Sequence, residues 1–296
     1  MRPLTTFRGE FISRAAAVFA VIAIVLQPCV SAELEGGEQI SLATRFTISS
    51  EVLDKTRNVL VYLPQTYGAE ANRERRYPVL YLLDGAAYFN ATIGVVHHLS
   101  ARSAAVERIP EHIIVAIANT KRTRDMTPSH MTEGLYSDNS GGAAIFRKFL
   151  ENDLIPAIDT RYRTTGERVL VGHSLAGLFV IDTLVEQPSL FSAYIAIDPS
   201  LSWDSNLLAR KLGDGRSTPS NASARLFIGE ANTPTMTAAD RAAQRAGIAE
   251  FRTALEKRKW PIRDSYRYFE DETHLSVPME GIYRGLLSIY DDYKKP

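Results

Sequence analysis

The segment Gly172–Gly177, which reads GHSLAG, has the residue types and spacing of a serine nucleophile. It follows the apolar run at residues 168–171 directly and precedes a helical run from Leu178 to Val185. A serine hydroxyl is a weak nucleophile, and a sharp strand-to-helix turn with glycines on both sides exposes it at the top of a sheet. A bare Gly-x-Ser-x-Gly pattern also occurs in ordinary turns, but the strand and helix on either side favour Ser174 as a nucleophile.

A general base for Ser174 has to come from a histidine, and the order serine, acid, histidine is typical of chains that carry such an elbow. Only His274 lies downstream of the elbow, after a predicted strand and before the predicted last helix. The sequence therefore predicts His274 as the base rather than a solvent-exposed loop histidine. The other five histidines are His97, His98, His112, His130 and His173.

The acid that orients the imidazole is expected in the loop that closes the strand Leu226–Ile228. Glu230 is the nearest carboxylate there, and we predict it as the third catalytic residue, in preference to a solvated loop glutamate. Asp198 stands at the end of the preceding predicted strand and is the alternative, because a carboxylate there could reach the same histidine.

The tetrahedral intermediate needs two hydrogen-bond donors for its oxyanion. One is expected to be the backbone amide of Leu175, the residue after the nucleophile. The second is expected from the loop after an earlier strand, where Asp84-Gly85 turns the chain and directs the amide of Ala86 inward. Asp-Gly is also a common turn pair, which is the alternative interpretation.

The elements around these residues indicate an α/β fold. Phe46 and Ile48, then Val59 and Val61, alternate with polar neighbours and predict an antiparallel pair. Short β-branched or aromatic runs then alternate with helical stretches, which predicts parallel strands with helices on both faces. The runs are Val79–Leu83, Ile113–Ile117, Val169–Val171, Tyr194–Ile197, Leu226–Ile228 and Tyr266–Phe269.

Several blocks beyond the elbow make the chain resemble the putative-esterase family of α/β hydrolases, nearest its periplasmic siderophore-esterase branch. That resemblance implies the α/β-hydrolase fold, with a mostly parallel central sheet and helices on both faces. It also implies a serine esterase that cleaves a carboxylic ester, of siderophore or aryl type, through an acyl-enzyme. The blocks are Tyr81–Gly85, Asn119–Pro128, Gly141-Gly142, Gly172–Gly177 and Pro199–Asp204.

One position departs from that branch. Its members often carry a carboxylate where this chain has Asn232, and that carboxylate is their usual triad acid. Some relatives work with a serine–histidine dyad, so the resemblance also allows a dyad assisted by Glu230 or Asp198. An acyltransferase with the same nucleophile and a catalytically silent binding protein remain alternative functions.

Substrate contacts are expected from the long polar loop Asn119–Ser140, which should reach the carboxyl edge of the sheet, where α/β folds bind ligands. Arg122 and Arg124 are candidates for pairing with an acidic or catecholate substrate, although Arg124 and Asp125 would equally lock the loop to itself. Trp203 is either a pocket wall for an aromatic acyl group or a core aromatic residue.

The first 32 residues have the pattern of a secretory signal. Arginines precede an apolar run of about 12 residues, too short for a membrane span of about 20, and small residues follow at Val30-Ser31-Ala32. We expect a single catalytic domain over residues 33–296, secreted or periplasmic, with no stable membrane insertion after the signal is removed. Cys29 is the only cysteine, and Pro28 before it disfavours a lipid-attachment site.

The charge balance argues against nucleic acid as a partner, since 34 lysines and arginines match 34 aspartates and glutamates. The expected partner is a small-molecule ester. No metal or organic cofactor is implied, because His97-His98 lacks the i, i+4 spacing and the acidic partner of a zinc helix.

Overall fold

A computed structural model describes most of the chain after the first 35 residues. Contacts divide the chain into two units, residues 1–41 and residues 42–296. The predicted signal, residues 1–32 with Cys29, lies outside the described residues. These are residues 36–37, 40–53, 55–100, 107–215, 223–233 and 236–293.

The second unit is built on one eight-stranded sheet in the order β1-β2-β4-β3-β5-β6-β7-β8. The predicted antiparallel pair is confirmed, with Phe46 opposite Val59, and β2 also runs antiparallel to β4. From β3 to β8 every pairing is parallel. The strands are β1 (Thr44–Ser50), β2 (Lys55–Tyr62), β3 (Tyr77–Leu82), β4 (Ile113–Ile117), β5 (Thr164–His173), β6 (Ala193–Ile197), β7 (Ala224–Ala231) and β8 (Ile262–Phe269).

The described residues include eight α-helices, of which α8 follows the last strand, and short 3-10 turns at Gln65–Gly68 and Glu70–Asn72 precede β3. A π-helical segment, Leu150–Leu154, joins α3 to α4. The helices are α1 (Gly85–Ser100), α2 (Arg122–Met126), α3 (Ala143–Phe149), α4 (Ile155–Arg161), α5 (Leu175–Glu186), α6 (Trp203–Gly213), α7 (Ala238–Arg258) and α8 (Val277–Ile289).

Successive residues of the buried strands face opposite sides of the sheet, so each strand contributes to two apolar layers. In β3, Tyr81 packs in the layer that includes helices α3 to α7, whereas Leu80 and Leu82 pack in the layer that includes α1 and α8. The predicted α/β-hydrolase architecture, with helices on both faces of a mostly parallel sheet, is therefore confirmed.

Two large apolar residues on helices are exposed to solvent. Ile145 on α3 is 53% exposed and Met279 on α8 is 54% exposed.

Among the described residues no helix has both the length and the apolar character needed to cross a membrane. The parallel strands direct their carboxyl ends to one edge of the sheet, which brings the loops after β3, β5, β6 and β8 together.

Candidate active site

Ser174 occupies a strained turn between β5 and α5, with φ of +62° and ψ of −121°. The two glycines are required by close approach: a Cβ on Gly172 would lie 2.4 Å from the carbonyl oxygen of Ala176, and one on Gly177 would lie 3.0 Å from Cα of Pro199. The glycines therefore allow the sharp turn that presents the hydroxyl of Ser174 at the carboxyl edge.

His274 lies in the turn after β8, as the chain order predicts, and its Nε2 is 3.0 Å from Oγ of Ser174. Its Nδ1 is 2.5 Å from Oδ2 of Asp198. Asp198 directly follows β6, has a φ of +41°, and its side chain is fully buried. Its other carboxylate oxygen accepts a hydrogen bond from the amide of Ala231 at 3.1 Å, which fixes the carboxylate toward the imidazole.

The prediction that Glu230 orients His274 is wrong in this structure. β7 continues through Ala231, so Glu230 lies inside the strand instead of in the loop after it. Its carboxylate accepts from Nε of Arg245 at 2.9 Å and from the hydroxyl of Tyr266 at 2.6 Å. Burial, together with this bond to Glu230, raises the pKa of Tyr266. Asp198, the alternative considered for the acid, holds the imidazole instead.

Among the described residues, Asn232 makes no hydrogen bond to the imidazole of His274. Its side-chain amide donates to the backbone carbonyl of Glu270 at 3.0 Å, and its backbone amide donates to the carbonyl of Phe269 at 3.0 Å. The amide therefore ties the end of β7 to the turn that carries His274.

The predicted oxyanion donors lie at two helix N-termini. Leu175 is the first residue of α5 and Ala86 is the second residue of α1, so neither amide has an acceptor within its own helix. Among the described residues, no hydrogen bond from either amide is present. Asp84, before the second donor, has a φ of +53°, which turns the chain there into α1.

Arg122 holds this turn in place. Its guanidinium makes a two-point contact with Asp84, from Nε at 2.7 Å and from Nη2 at 2.8 Å, and Nη2 also donates to the carbonyl of His173 at 3.2 Å. Asn119 adds a hydrogen bond to the same carboxylate at 2.5 Å. Arg122 therefore connects the loop after β3 to the elbow, and its side chain keeps 33% exposure at the site.

Arg124 is engaged with its neighbour, as the alternative interpretation held. Its Nε and Nη2 both donate to Oδ1 of Asp125, at 2.8 and 2.6 Å, and the buried Arg57 pairs with the other oxygen of that carboxylate. The prediction that Arg124 binds substrate therefore has no support in its contacts, which fix the loop to the sheet.

Trp203, the first residue of α6, is a core residue. It is 7% exposed, its Nε1 donates to Oγ of Ser129 at 2.9 Å, and the ring of Tyr136 lies 5.3 Å away. Tyr136 is 37% exposed and covers the indole, so it is the more accessible aromatic ring. Tyr136 could not be identified from the sequence, because a tyrosine in a long polar loop carries no periodic signal.

His173, the residue before the nucleophile, is also part of this site. It is 4% exposed, and its Nδ1 is 3.1 Å from the hydroxyl of Tyr88 on α1. Burial, together with the neighbouring His274, lowers the pKa of His173 to about 4, so its ring is neutral at neutral pH. The carboxyl edge therefore carries two imidazoles in contact.

The described residues line a cavity near the sheet edge and a groove between two helices. The cavity of about 250 Å³ adjoins Gly85 and Ala86 and is also lined by Arg45, Asn58 and Leu60. The groove of about 550 Å³ lies between α6 and α7, and none of its lining residues belongs to the Ser174 site. Within the described part of the chain, no group of three or more histidine, cysteine, aspartate or glutamate side chains could hold a metal ion.

Comparison with known proteins identifies the family of the chain. The sequence pattern of the Putative esterase family matches residues 50–271, which include Ser174 and Asp198 and end three residues before His274. An IroE-like serine hydrolase from Shewanella oneidensis superposes with a TM-score of 0.75 at 31% identity, over 86% of this chain and 82% of that one.

Curated relatives match shorter stretches. The ferri-bacillibactin esterase BesA of Bacillus subtilis is 32% identical over 179 residues, which is 55% of this chain and 60% of that enzyme. The apo-salmochelin esterase of Escherichia coli is 30% identical over 170 residues, 52% of this chain and 50% of that enzyme. The matches thus span half to three fifths of these relatives. Because the family match covers most of the chain, this protein belongs to the Putative esterase family of α/β hydrolases.

Proposed function

We propose that the protein hydrolyses a carboxylic ester through an acyl-enzyme on Ser174. The observation that carries this proposal is the continuous relay from Oγ of Ser174 to Nε2 of His274 at 3.0 Å and from Nδ1 of His274 to Asp198 at 2.5 Å. An activated serine needs a base within hydrogen-bond reach and a third group that orients the base, and both are in place here.

In the first half-reaction, Oγ of Ser174 attacks the ester carbonyl while Nε2 of His274 takes the hydroxyl proton. The amides of Leu175 and Ala86 donate to the oxyanion of the tetrahedral intermediate. The intermediate collapses as His274 returns its proton to the departing alcohol. A water then attacks the acyl group, again with His274 as base, which releases the acid and restores the serine. The buried carboxylate of Asp198 stabilises the imidazolium in both halves.

We propose a siderophore-type or aryl ester as the substrate. The names of the relatives from Bacillus and Escherichia describe esterases of siderophores, and this chain shares their family. The ring of Tyr136, tilted by 47° against that of Trp203 at 5.3 Å, provides an apolar surface in the loop that carries Arg122. Such a surface suits an aromatic acyl group, and a guanidinium nearby suits a catecholate or carboxylate oxygen.

The test is product analysis with purified protein that lacks residues 1–32. Apo and ferric catecholate trilactones, a hydroxamate siderophore ester, a feruloyl ester and p-nitrophenyl esters are incubated with the protein and with Ser174→Ala, and the products are identified by mass spectrometry. We expect linear acids from a catecholate trilactone with the unmodified protein only. Turnover by Ser174→Ala would refute the mechanism, and formation of a new ester with an added alcohol in place of the acid would indicate an acyltransferase.

The proposal includes export. The arginine-led apolar segment before Ala32 supports removal of a signal peptide and a secreted or periplasmic location. Cell fractionation followed by N-terminal sequencing tests it, and we expect a first residue near Glu33 outside the cytoplasm. An exported form that still began with Met1 would contradict signal removal.

A further inference from the structure

Among the described residues, two hydrogen bonds hold the ring of His274, one to Ser174 and one to Asp198. The side chain of His274 is 29% exposed and lies in a turn between β8 and α8. A rotation of the ring would break the contacts with Ser174 and Asp198 together. The only aromatic contact of this imidazole among the described residues is with His173, whose ring centroid lies 4.5 Å away at an interplanar angle of 43°.

His173 is itself fixed from two sides. Its Nδ1 is 3.1 Å from the hydroxyl of Tyr88, whose ring packs edge-on at 5.9 Å. Burial and the nearby carboxylate of Asp84 raise the pKa of Tyr88, so the phenol keeps its proton and donates it to the neutral imidazole. The backbone carbonyl of His173 accepts from Arg122. Neither the ring nor the backbone of His173 is free to turn.

A histidine at position 173 destabilises the folded protein more than an apolar ring would, if its role is packing alone. Its Nε2 is buried without a hydrogen-bond partner among the described residues. The backbone carbonyl of His274 lies near enough to raise the pKa of His173, yet it does not satisfy this nitrogen. An unsatisfied buried polar atom costs stability, and an apolar ring of similar size would avoid that cost. The nitrogen atoms of His173 therefore point to a role beyond filling space.

We infer that His173 is a positioning residue for His274. Tyr88 and Arg122 fix His173, and the ring of His173 holds the imidazole of His274 on the line between Ser174 and Asp198. This inference rests on the proposed ester hydrolysis. It predicts that His173 acts through the base, so that removing its ring lowers kcat and leaves KM nearly unchanged, because a small misplacement of a catalytic group costs rate and not substrate affinity.

The molecule contains a matched control. His112, just before β4, is fully buried, and its Nε2 is 2.9 Å from the hydroxyl of Tyr290, with the rings 5.3 Å apart. Burial lowers the pKa of His112 to about 4 as well. This pair has the same chemistry as His173 and Tyr88 but no contact with His274, so variants of it report the effect of removing a buried histidine–tyrosine pair.

The experiment compares His173→Ala, Tyr88→Phe and their double variant with His112→Ala and Tyr290→Phe, using p-nitrophenyl acetate and urea denaturation. We expect kcat of His173→Ala to fall by about tenfold or more with KM within about twofold, and kcat of Tyr88→Phe to fall by about threefold. The double variant should be no slower than His173→Ala, since Tyr88 acts only through His173. Both control variants should keep kcat within about twofold, whatever they do to stability.

A kcat of His173→Ala within about twofold of the unmodified protein would overturn the inference. An increase in KM with kcat unchanged would also overturn it, because His173 would then act on substrate binding, and so would losses that multiply in the double variant. If His173→Ala fails to fold, Tyr88→Phe still decides, since it removes one hydroxyl from a half-buried ring. Ser174→Ala in the same series separates the two proposals: turnover by that variant refutes the hydrolysis itself, whereas its inactivity beside a normal His173→Ala refutes only the positioning role.

Discussion

The two edges of the central sheet each carry a buried histidine hydrogen-bonded to a tyrosine, and they differ in what lies next to the pair. At the amino edge, His112 donates from Nδ1 to the carbonyl of Pro110 at 2.7 Å and accepts from Tyr290, so both ring nitrogens are satisfied. At the carboxyl edge, Nε2 of His173 has no partner among the described residues, and the ring touches His274. The pair at the amino edge therefore stabilises the fold with all of its hydrogen bonds made. The pair at the carboxyl edge lacks one hydrogen bond, next to the reacting groups.

The same contrast holds for two buried carboxylates at the carboxyl ends of neighbouring strands. Both carboxylate oxygens of Glu230 accept hydrogen bonds, from Arg245 and from Tyr266. Asp198 instead directs one oxygen at Nδ1 of His274. In both comparisons the two members are buried and carry the same kind of functional group, and one of them contacts the imidazole of His274 while the other does not. The function of a buried polar residue here follows from its neighbour.

The largest effect should come from the carboxylates. Asp198→Asn removes the negative charge that stabilises the imidazolium and that sets the tautomer, so kcat should fall by a factor on the order of 10³–10⁴. Glu230→Gln should leave kcat within about threefold, because its partners are Arg245 and Tyr266. Steady-state hydrolysis of an aryl ester measures both. The opposite order of effects would make Glu230 the acid, and small losses in both variants would favour a serine–histidine dyad.

Acid should lower the free energy of unfolding, because both His112 and His173 are buried in the neutral form. The pKa values of His112 and His173 are each lowered to about 4 by burial, so the unfolded chain binds more protons than the folded one between pH 6.5 and 4. The free energy of unfolding should therefore be greatest above pH 6.5 and fall toward pH 4, by roughly 3 kcal/mol for each histidine. Urea denaturation across this range tests it. A stability that did not change between pH 7 and pH 4.5 would contradict the assigned burial.

His112→Ala should act on stability alone. The variant leaves the hydroxyl of Tyr290 without its partner and opens a cavity at the amino edge, which should cost about 2 kcal/mol in the free energy of unfolding at pH 7.5. That deficit should shrink as the pH falls and vanish before pH 4, since the variant lacks the histidine whose protonation destabilises the folded protein by roughly 3 kcal/mol at that pH. A deficit that stayed constant with pH would show that His112 does not titrate with a lowered pKa.

The smallest effect should come from Asn232→Asp. The new carboxylate would face the backbone carbonyl of Glu270 in place of the amide that now donates to it. We expect a loss of about 1 kcal/mol or less in stability and no gain in kcat, because Asp198 already occupies Nδ1 of His274. A several-fold increase in kcat would mean that a carboxylate at this position can reach the imidazole.

The sequence was sufficient to predict the fold class and the meeting of Ser174 with His274. The elbow is a local pattern of glycines around a serine, and the chain order leaves a single downstream histidine. The strand runs were also readable, because β-branched residues between helical stretches predict parallel strands. These features depend on residues that are close in sequence or on elimination, which is why they could be read without coordinates. The catalytic roles of the two residues stay predictions.

The acid could not be predicted because it depends on where β7 ends. Gly229 looked like the start of a loop, which would release Glu230 from the sheet. In the structure Gly229 lies inside β7, where a Cβ would stand 2.9 Å from the ring of Phe269 on β8. The glycine therefore makes room for an aromatic ring on the next strand. The sequence alone does not distinguish a glycine required by packing from one required by a turn. The residue on the neighbouring strand makes the distinction.

The partners of the loop arginines could not be predicted for a similar reason. A guanidinium in a polar loop can pair with substrate or with its own chain, and the sequence does not say which carboxylate is nearest. Arg124 pairs with Asp125 beside it, but Arg122 pairs with Asp84, which is 38 positions away. Long-range pairing of this kind appears only once the strands have brought their carboxyl ends together.

The most direct test of the account is labelling of Ser174 by a fluorophosphonate, followed by intact-protein and peptide mass spectrometry. Only a serine activated by a base reacts readily with this reagent. We expect one adduct per chain, located on Ser174, with a rate that falls sharply in Asp198→Asn and stays close to that of the unmodified protein in Glu230→Gln. An adduct on another residue, no adduct at all, or a rate that depends on Glu230 and not on Asp198 would contradict the relay from Ser174 through His274 to Asp198.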